Sequence, residues 1–321
     1  MRQFRCILAF CLFALCCGSV FAQSYPTQPI RLVTPWASGA ASEVILRLVA
    51  DRLAAALKQP VVIENKPGAG SLLGTDYVAK AAPDGYTLLG SFNSAIAPGP
   101  LMYSKIPYDP MKDFVHIALI GVFPQYMIVR TDSPVKSLKE FLALVKAKPG
   151  AVNYASAGVG SSGFLAAELL KQSAGLDMVH VPYKGPAPAI SDLLGGRLDM
   201  VLTASAAELS RAGKVRVLAV TSDKRVPIYP DVPTVNEIVP GVKAVSYVGI
   251  SAPAKTPRAI TSRLETELMA ILTTPEMHAR LSDPALAIEP TPLGSKKYLE
   301  FIQNEIRVWS PVIKKGNIRV D

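Results

Sequence analysis

The sequence predicts an α/β protein of two domains, the second inserted into the first, with a cleft between them. Three observations carry this. Short apolar strands alternate with helical patterns, β-α-β-α-β at the start, which is the order of a parallel sheet with helices on both faces. A second unit of this kind begins only after a long apolar stretch, Ile117 to Val129, broken by Pro124. A further apolar segment, Tyr247 to Ser251, follows that unit and precedes a run of helices. These two segments read as crossings, so that 23–124 and 247–321 make one domain and 125–246 the other, each around a predominantly parallel sheet.

In order, Pro29 to Thr34 reads as a strand, followed by a loop and a helix over about 43–58 with Val44, Leu48 and Leu57 facing the core. Val61 to Glu64 is a strand, and a turn at Pro67 to Gly70 leads into a helix over 71–82. Pro83-Asp84-Gly85 is turn chemistry before the strand Tyr86 to Ser91. A proline-rich loop, Pro98 to Pro110, leads to the first crossing. Ser137-Leu138-Lys139-Glu140 is a capping-box pattern that opens a helix to about 147. Asn153 to Leu165 reads as strand, glycine-rich turn and helix start, the helix running to about 174. Strands are expected at 178–182, 198–202 and 215–221, with helices at 186–194 and 205–212. After the return come helices at about 257–273, 275–281 and 295–314. The last carries Tyr298, Phe301, Ile302, Ile306 and Trp309 at helical spacing, which reads as core packing.

The first residues are excluded from the fold. Arg2 and Arg5 precede an apolar run, Ile7 to Val20, and Val20-Phe21-Ala22 suits a signal-peptidase cut after Ala22. All four cysteines lie in this leader, so the mature chain has neither disulfides nor thiolate chemistry. A lipoprotein reading fits poorly because Leu15 precedes Cys16. No later segment is apolar enough to span a bilayer. The expected product is exported and monomeric. The net charge of +9 is scattered, without a run of five Lys/Arg or a basic–aromatic ladder, which argues against nucleic acid.

Two strand–turn–helix loops are the candidate site. In Asn153 to Leu165, Gly158 and Gly160 permit a sharp turn and a close approach, and Ser161 and Ser162 suit a helix N-cap. The first N–H groups of the following helix have no intrahelical partner and sit at the positive end of its dipole, a ready anion site. Val33 to Glu43 repeats the design. The two loops are expected to face each other and hold a small carboxylate. Replacing Ser161 and Ser162 by bulky residues is then expected to abolish binding and leave the fold intact.

Other chemistries fit less well. Gly158-x-Gly160-x-x-Gly163 matches the dinucleotide fingerprint, but Asp177 precedes its strand where the ribose-binding acid should end one. Neither serine has the nucleophile-elbow frame. His116, His180 and His278 lie far apart, without metal-ligand spacing, and His180 reads as a core or edge histidine. No cofactor, metal or catalytic residue is called for.

Several segments together resemble a known family: Tyr25-Pro26-x-x-Pro29-Ile30-Arg31-Leu32-Val33, Asn65-Lys66-Pro67-Gly68-Ala69-Gly70, Ala82-Pro83-Asp84-Gly85-Tyr86-Thr87-Leu88, Pro107-Tyr108-Asp109-Pro110, Val179-His180-Val181-Pro182-Tyr183-Lys184-Gly185, Asp192 to Gly196, Leu218-Ala219-Val220-Thr221-Ser222 and Pro230-Asp231-Val232-Pro233-Thr234. In this order they resemble the Bug family, the periplasmic receptors of tripartite tricarboxylate transporters, over nearly the whole mature chain. The resemblance implies a two-domain periplasmic binding protein fold of the type II-like, Venus-flytrap kind. It also implies a small organic acid ligand and delivery to a large and a small membrane subunit. A sensor of the same fold signalling to a membrane partner is the alternative, and an enzyme comes last.

The positions that match the family's ligand loops are Trp36, Ala37, Ser38, Gly39, Ala40 and Ala41, then Ser91, Phe92, Asn93 and Ser94, then Gly158, Val159, Gly160, Ser161 and Ser162. Trp36 suits a pocket wall and lid or core packing equally well. The departures lower polarity. Glu43 stands for the family's Asp and Ala40 for a glycine in the first loop; Val159 and Phe164 replace Asn and His in the second; Thr203 and Ala204 replace an Asp-Asn pair. The ligand expected is an aromatic or apolar monocarboxylate, or a dicarboxylate with an apolar body.

Overall fold

The computed structural model describes residues 25–36, 41–156, 158–183, 186–204, 206–283, 286 and 288–320. The expected leader and Ala37, Ser38, Gly39 and Ala40 lie outside them.

The chain begins with β1 (Ile30–Thr34), α1 (Ala41–Leu57), β2 (Val61–Asn65), α2 (Leu72–Ala79), β3 (Thr87–Phe92) and β4 (Phe114–Pro124). It then runs through β5 (Tyr126–Arg130), α3 (Leu138–Ala147), β6 (Asn153–Ser156), α4 (Ser162–Ala174), β7 (Val179–Pro182), α5 (Pro186–Leu194), β8 (Met200–Thr203), α6 (Ala207–Arg211), β9 (Val215–Val220) and α7 (Val235–Ile238). It closes with β10 (Val245–Pro253), α8 (Arg258–Leu272), α9 (Pro275–Leu281), β11 (Glu289–Gly294) and α10 (Ser295–Lys315). Lobe 1 is built on a sheet of order β11-β4-β10-β3-β1-β2 and lobe 2 on one of order β7-β6-β8-β5-β9.

Both sheets are mixed, where parallel-dominated sheets were expected. Parallel pairing joins β1 to β2 and β3, and β6 to β7 and β8. The chain enters and leaves lobe 2 through β4–β5 and β9–β10. Of these, β10 runs against the parallel set of lobe 1 and β5 against that of lobe 2, so β10 pairs antiparallel with β3 and β4, and β5 with β8 and β9. β11 was not anticipated because Pro290 and Pro292 obscure it. It sits at the sheet edge, where a missing N–H is tolerated.

The two crossings are tied at one residue. The buried Thr221 hydroxyl accepts from the Gln125 N–H (2.8 Å) and donates to the Ala244 carbonyl, while the Ala244 N–H donates to the Thr221 carbonyl (3.0 Å).

On one face of the lobe 1 sheet, α1 and α8 bury Ile45, Leu46, Val49, Leu53, Leu264 and Leu268 against Leu32, Leu88 and Ile250. Val44 was expected in this core but is 46% exposed. The buried face of α1 runs through 45, 46, 49, 53 and 57, one position out of phase with it. On the other face, Tyr247 packs against Tyr298 and Phe301 of α10. The second half of α10 serves lobe 2: Trp309, Val312 and Ile313 share a core with Phe141, Tyr154 and Leu170. The segment 247–321 therefore contributes to both lobes. At α3, Ser137 caps the Glu140 N–H (3.2 Å), but the Glu140 carboxylate reaches back to the Lys136 N–H (2.7 Å), one residue before the cap.

Candidate functional site

The C-terminal ends of the parallel strands β1, β3, β6 and β8 bring their following turns together at the lobe boundary, the place where open α/β sheets bind ligands. A cleft of about 440 Å³ lies there. Lobe 1 supplies Trp36 after β1, and Phe92, Asn93 and Ser94 at the end of β3. Lobe 2 supplies Val159, Gly160, Ser161, Ser162 and Ala204, and the crossing strands add Phe123, Ser246 and Tyr247. A larger groove of about 720 Å³ lies at the opposite, N-terminal ends of β1 and β3, beside Gln28, Pro29 and Tyr86. It belongs to lobe 1 alone and carries its own Lys80–Asp76 ion pair (2.8 Å).

The glycine-rich turn folds as its composition dictates. Gly158 (φ +119°) and Gly160 (φ +81°) occupy backbone conformations that side chains disfavour. Ser156 braces the turn by accepting from the Gly158 N–H (3.2 Å), and its hydroxyl lies 2.8 Å from Nε2 of His180. His180, on the edge strand β7, stacks on Tyr154 (4.9 Å between centroids), and burial lowers its pKa, which favours the neutral ring. Ser161 caps α4, accepting from the Phe164 N–H (3.3 Å), so its replacement costs helix stability and does not leave the fold untouched. Ser162 reaches across the cleft: it accepts from Asn93 Nδ2 (3.1 Å) and shares a short hydrogen bond with Ser246. These bonds tie the start of α4 to lobe 1.

The walls are aromatic. Trp36 meets Phe92 edge to face at 6.2 Å, and Phe92 is 4% exposed. No Asp, Glu, Lys, Arg or His stands among the described lining residues. Glu43 is buried away from the cleft lining; one carboxylate oxygen accepts from Arg47 (2.7 Å) and the other from Asn65 (3.3 Å). Among the described residues no cluster of His, Cys, Asp or Glu could hold a metal ion, and no helix is long and apolar enough to cross a membrane.

Three nominated residues lie behind the cleft wall. Ser91 is fully buried, bonded to Tyr298 (3.0 Å) and to Ser251 (3.1 Å), because strand alternation turns it from the face that Phe92 presents. Phe164 packs on His180 (4.7 Å). Thr203, the last residue of β8, is buried, and the chain reaches the cleft at Ala204. Sequence reasoning did not nominate Gly70, Met102, Tyr103, Ser246, Tyr247 or Val320. The first three lay in segments identified only as turn or loop. Ser246 and Tyr247 stand at the return crossing, and Val320 follows the last helix.

Similarity to known proteins agrees with this architecture. The family model described as "Tripartite tricarboxylate transporter family receptor" matches residues 45–318. Protein BugT of Bordetella pertussis is 34% identical, covering 94% of this chain and 93% of that protein. Among solved structures, the R. palustris protein Rpa4515 with adipate superposes with a TM-score of 0.79 at 32% identity, covering 92% of this chain and 99% of that one. MatC from Rhodopseudomonas palustris with bound malate gives 0.75 at 31%, covering 90% and 100%. With the family model matched over residues 45–318 and these identities spanning nearly the whole of both chains, the chain belongs to the tripartite tricarboxylate transporter receptor family, the Bug or TctC solute-binding proteins.

Proposed function

We propose that this protein is an exported, periplasmic receptor that captures a small carboxylate with an aromatic or otherwise apolar body and delivers it to a large and a small membrane transporter subunit. One observation carries the reading. The cleft joins neutral donors at the start of α4 to a Trp36–Phe92 wall, with no charged side chain among its described lining residues. A carboxylate is stabilised by hydroxyls, backbone N–H groups and the helix dipole without a counter-charge. An ammonium group would find no carboxylate partner there, since Glu43 is already engaged by Arg47 and Asn65. Adipate and malate in the related structures support the ligand class. The leader ending at Ala22 supports the location. Binding draws the lobes together about the Thr221 hinge, and the closed form is the one offered to the membrane.

A thermal-shift screen of the purified protein against aliphatic, amino and aromatic acids tests this. A ligand at one hundred times its Kd adds about 2.7 kcal/mol of stability by mass action. Apolar-bodied acids are expected to raise the melting temperature and aspartate and glutamate to leave it unchanged. Micromolar binding of glutamate with none of benzoate-like acids would sink the reading.

A further inference from the structure

We infer that the end of the chain forms part of the cleft wall and that Val320 limits the size of acid the cleft accepts, an inference that rests on the carboxylate-receptor reading. After α10 the chain turns at Gly316 and Asn317, the latter at φ +47°. Ile318 then plugs back into the lobe 2 core, 4% exposed, its N–H donating to the Ile313 carbonyl (3.0 Å). The next two residues bond to the 99–102 turn between β3 and β4, which packs on the lobe 2 core. The Arg319 guanidinium donates to the Leu101 carbonyl (3.3 Å) and the Val320 N–H to the Met102 carbonyl (3.2 Å). The tail is thereby fixed between α10 and the 99–102 turn at the rim of the cleft.

Val320 lies directly over the glycine-rich turn. A Cβ placed on Gly160 would come within 3.0 Å of a Val320 methyl and 3.1 Å of the Met102 terminal methyl. The close approach that Gly160 permits is therefore taken up by this chain's own side chains. Val320, Met102 and Gly160 all line the cleft, and all three surfaces are apolar or bare backbone. They supply no hydrogen-bonding side chain, so they bound the ligand's volume and leave its carboxylate to the serines. Val320 is the most exchangeable of the three. Gly160 is held by its backbone conformation, and Met102 is 3% exposed within the lobe 2 core cluster.

The test compares wild type, Val320→Ala and Val320→Phe by calorimetric titration with straight-chain mono- and dicarboxylates of increasing length and with benzoate and its ring-methylated homologues. Val320→Ala frees space for added carbon, so bulkier homologues gain roughly fourfold in affinity per extra methylene buried, relative to the smallest acid bound. Val320→Phe moves the preference the other way. A double-mutant cycle checks the contact: Gly160→Ala weakens binding, and Val320→Ala in the same chain restores part of the loss because the methyl it meets is gone. If wild type binds acids and the ranking is the same in all three proteins, the inference is overturned while the receptor reading stands. If wild type binds none of these acids, both are overturned.

Discussion

Gly163 is the second residue of α4, packed against β8 in lobe 2, and its replacement by alanine has a calculable cost. An added Cβ would lie 2.3 Å from the Leu202 carbonyl oxygen and 3.1 Å from the carbonyl carbon. That carbonyl is held in place: Leu202 pairs with Met127 on β5, and its neighbour Val201 pairs with Ala155 on β6. An unstrained carbon–oxygen contact needs about 3.4 Å, so the start of α4 must retreat by about 1 Å. Overpacking of this kind costs about 2 kcal/mol. At roughly 2–4 °C per kcal/mol, Gly163→Ala should lower the thermal midpoint by about 4–8 °C, read by circular dichroism. Gly195→Ala is the control. Its Cβ meets nothing closer than 3.4 Å and its φ is not positive, so it should stay within about 0.5 kcal/mol of wild type. If G163A and G195A melt together, the α4–β8 spacing is not set by the glycine and the account of the turn fails.

Thr221→Val keeps the shape of the side chain and orphans the buried Gln125 N–H, so urea unfolding should show a loss of about 1–3 kcal/mol; wild-type stability would remove Thr221 as the tie between the crossings. Ser162→Ala breaks two interlobe bonds worth together about 2 kcal/mol, near thirtyfold in the closure equilibrium, and small-angle scattering of the ligand-free protein should show a more open particle. Burial pushes the Glu305 carboxyl up to about 7 against a partial offset from the Trp309 indole, so it favours the fold below pH 4.5 and loses that support, about 3 kcal/mol, as pH rises through 7. His116, held by burial down to about 4, has the opposite sign: its support is present above pH 6.5 and lost as pH falls toward 4. Stability should therefore rise more steeply from pH 4.5 to 6.5 in Glu305→Gln than in wild type, measured by denaturant titration at each pH.

The strands and helices were legible because apolar period and turn chemistry coincide with them: Pro83-Asp84-Gly85 before β3, Ser161 before α4, Gly195-Gly196 after α5. The phase of α1 was not, because Val44 and Ile45 are both apolar and only packing against α8 decides which is buried. The cleft was half legible. The turn after β6 was marked by its own glycines and serines, whereas the residues following β3 and β8 were nominated through the family resemblance. Ser91 was misplaced because a strand end shows two faces and only one looks into the cleft. Tyr103, Ser246 and Val320 could not be found this way, since they reach the cleft from a loop, a crossing strand and the tail, and their sequences carry no mark of that meeting. Glu305 was invisible for a related reason. A lone carboxylate on a helix of mostly polar composition reads as solvated, and only α10 spanning both lobes buries it.

The Gly158-x-Gly160-x-x-Gly163 pattern shows what such a motif does without a nucleotide. Gly158 turns the chain at φ +119° and keeps the Tyr183 carbonyl at 3.2 Å from where a Cβ would sit. Gly160 makes room for Val320 and Met102, and Gly163 seats α4 on β8. The three demands are a tight turn, a close approach and a close helix–strand contact, the same three the dinucleotide fingerprint makes. They follow from placing a helix N-terminus directly after a parallel strand under a crowded roof. In this fold the roof is the chain itself, so the glycine spacing reports how tightly α4 must be seated for Ser161 to cap it and Ser162 to reach Asn93. The walls around that helix start, Trp36, Phe92, Met102 and Val320, are apolar. On the proposed receptor reading, an acid with a body to match would gain from both halves of the site, whereas a small, fully hydrated anion would gain only from the helix terminus.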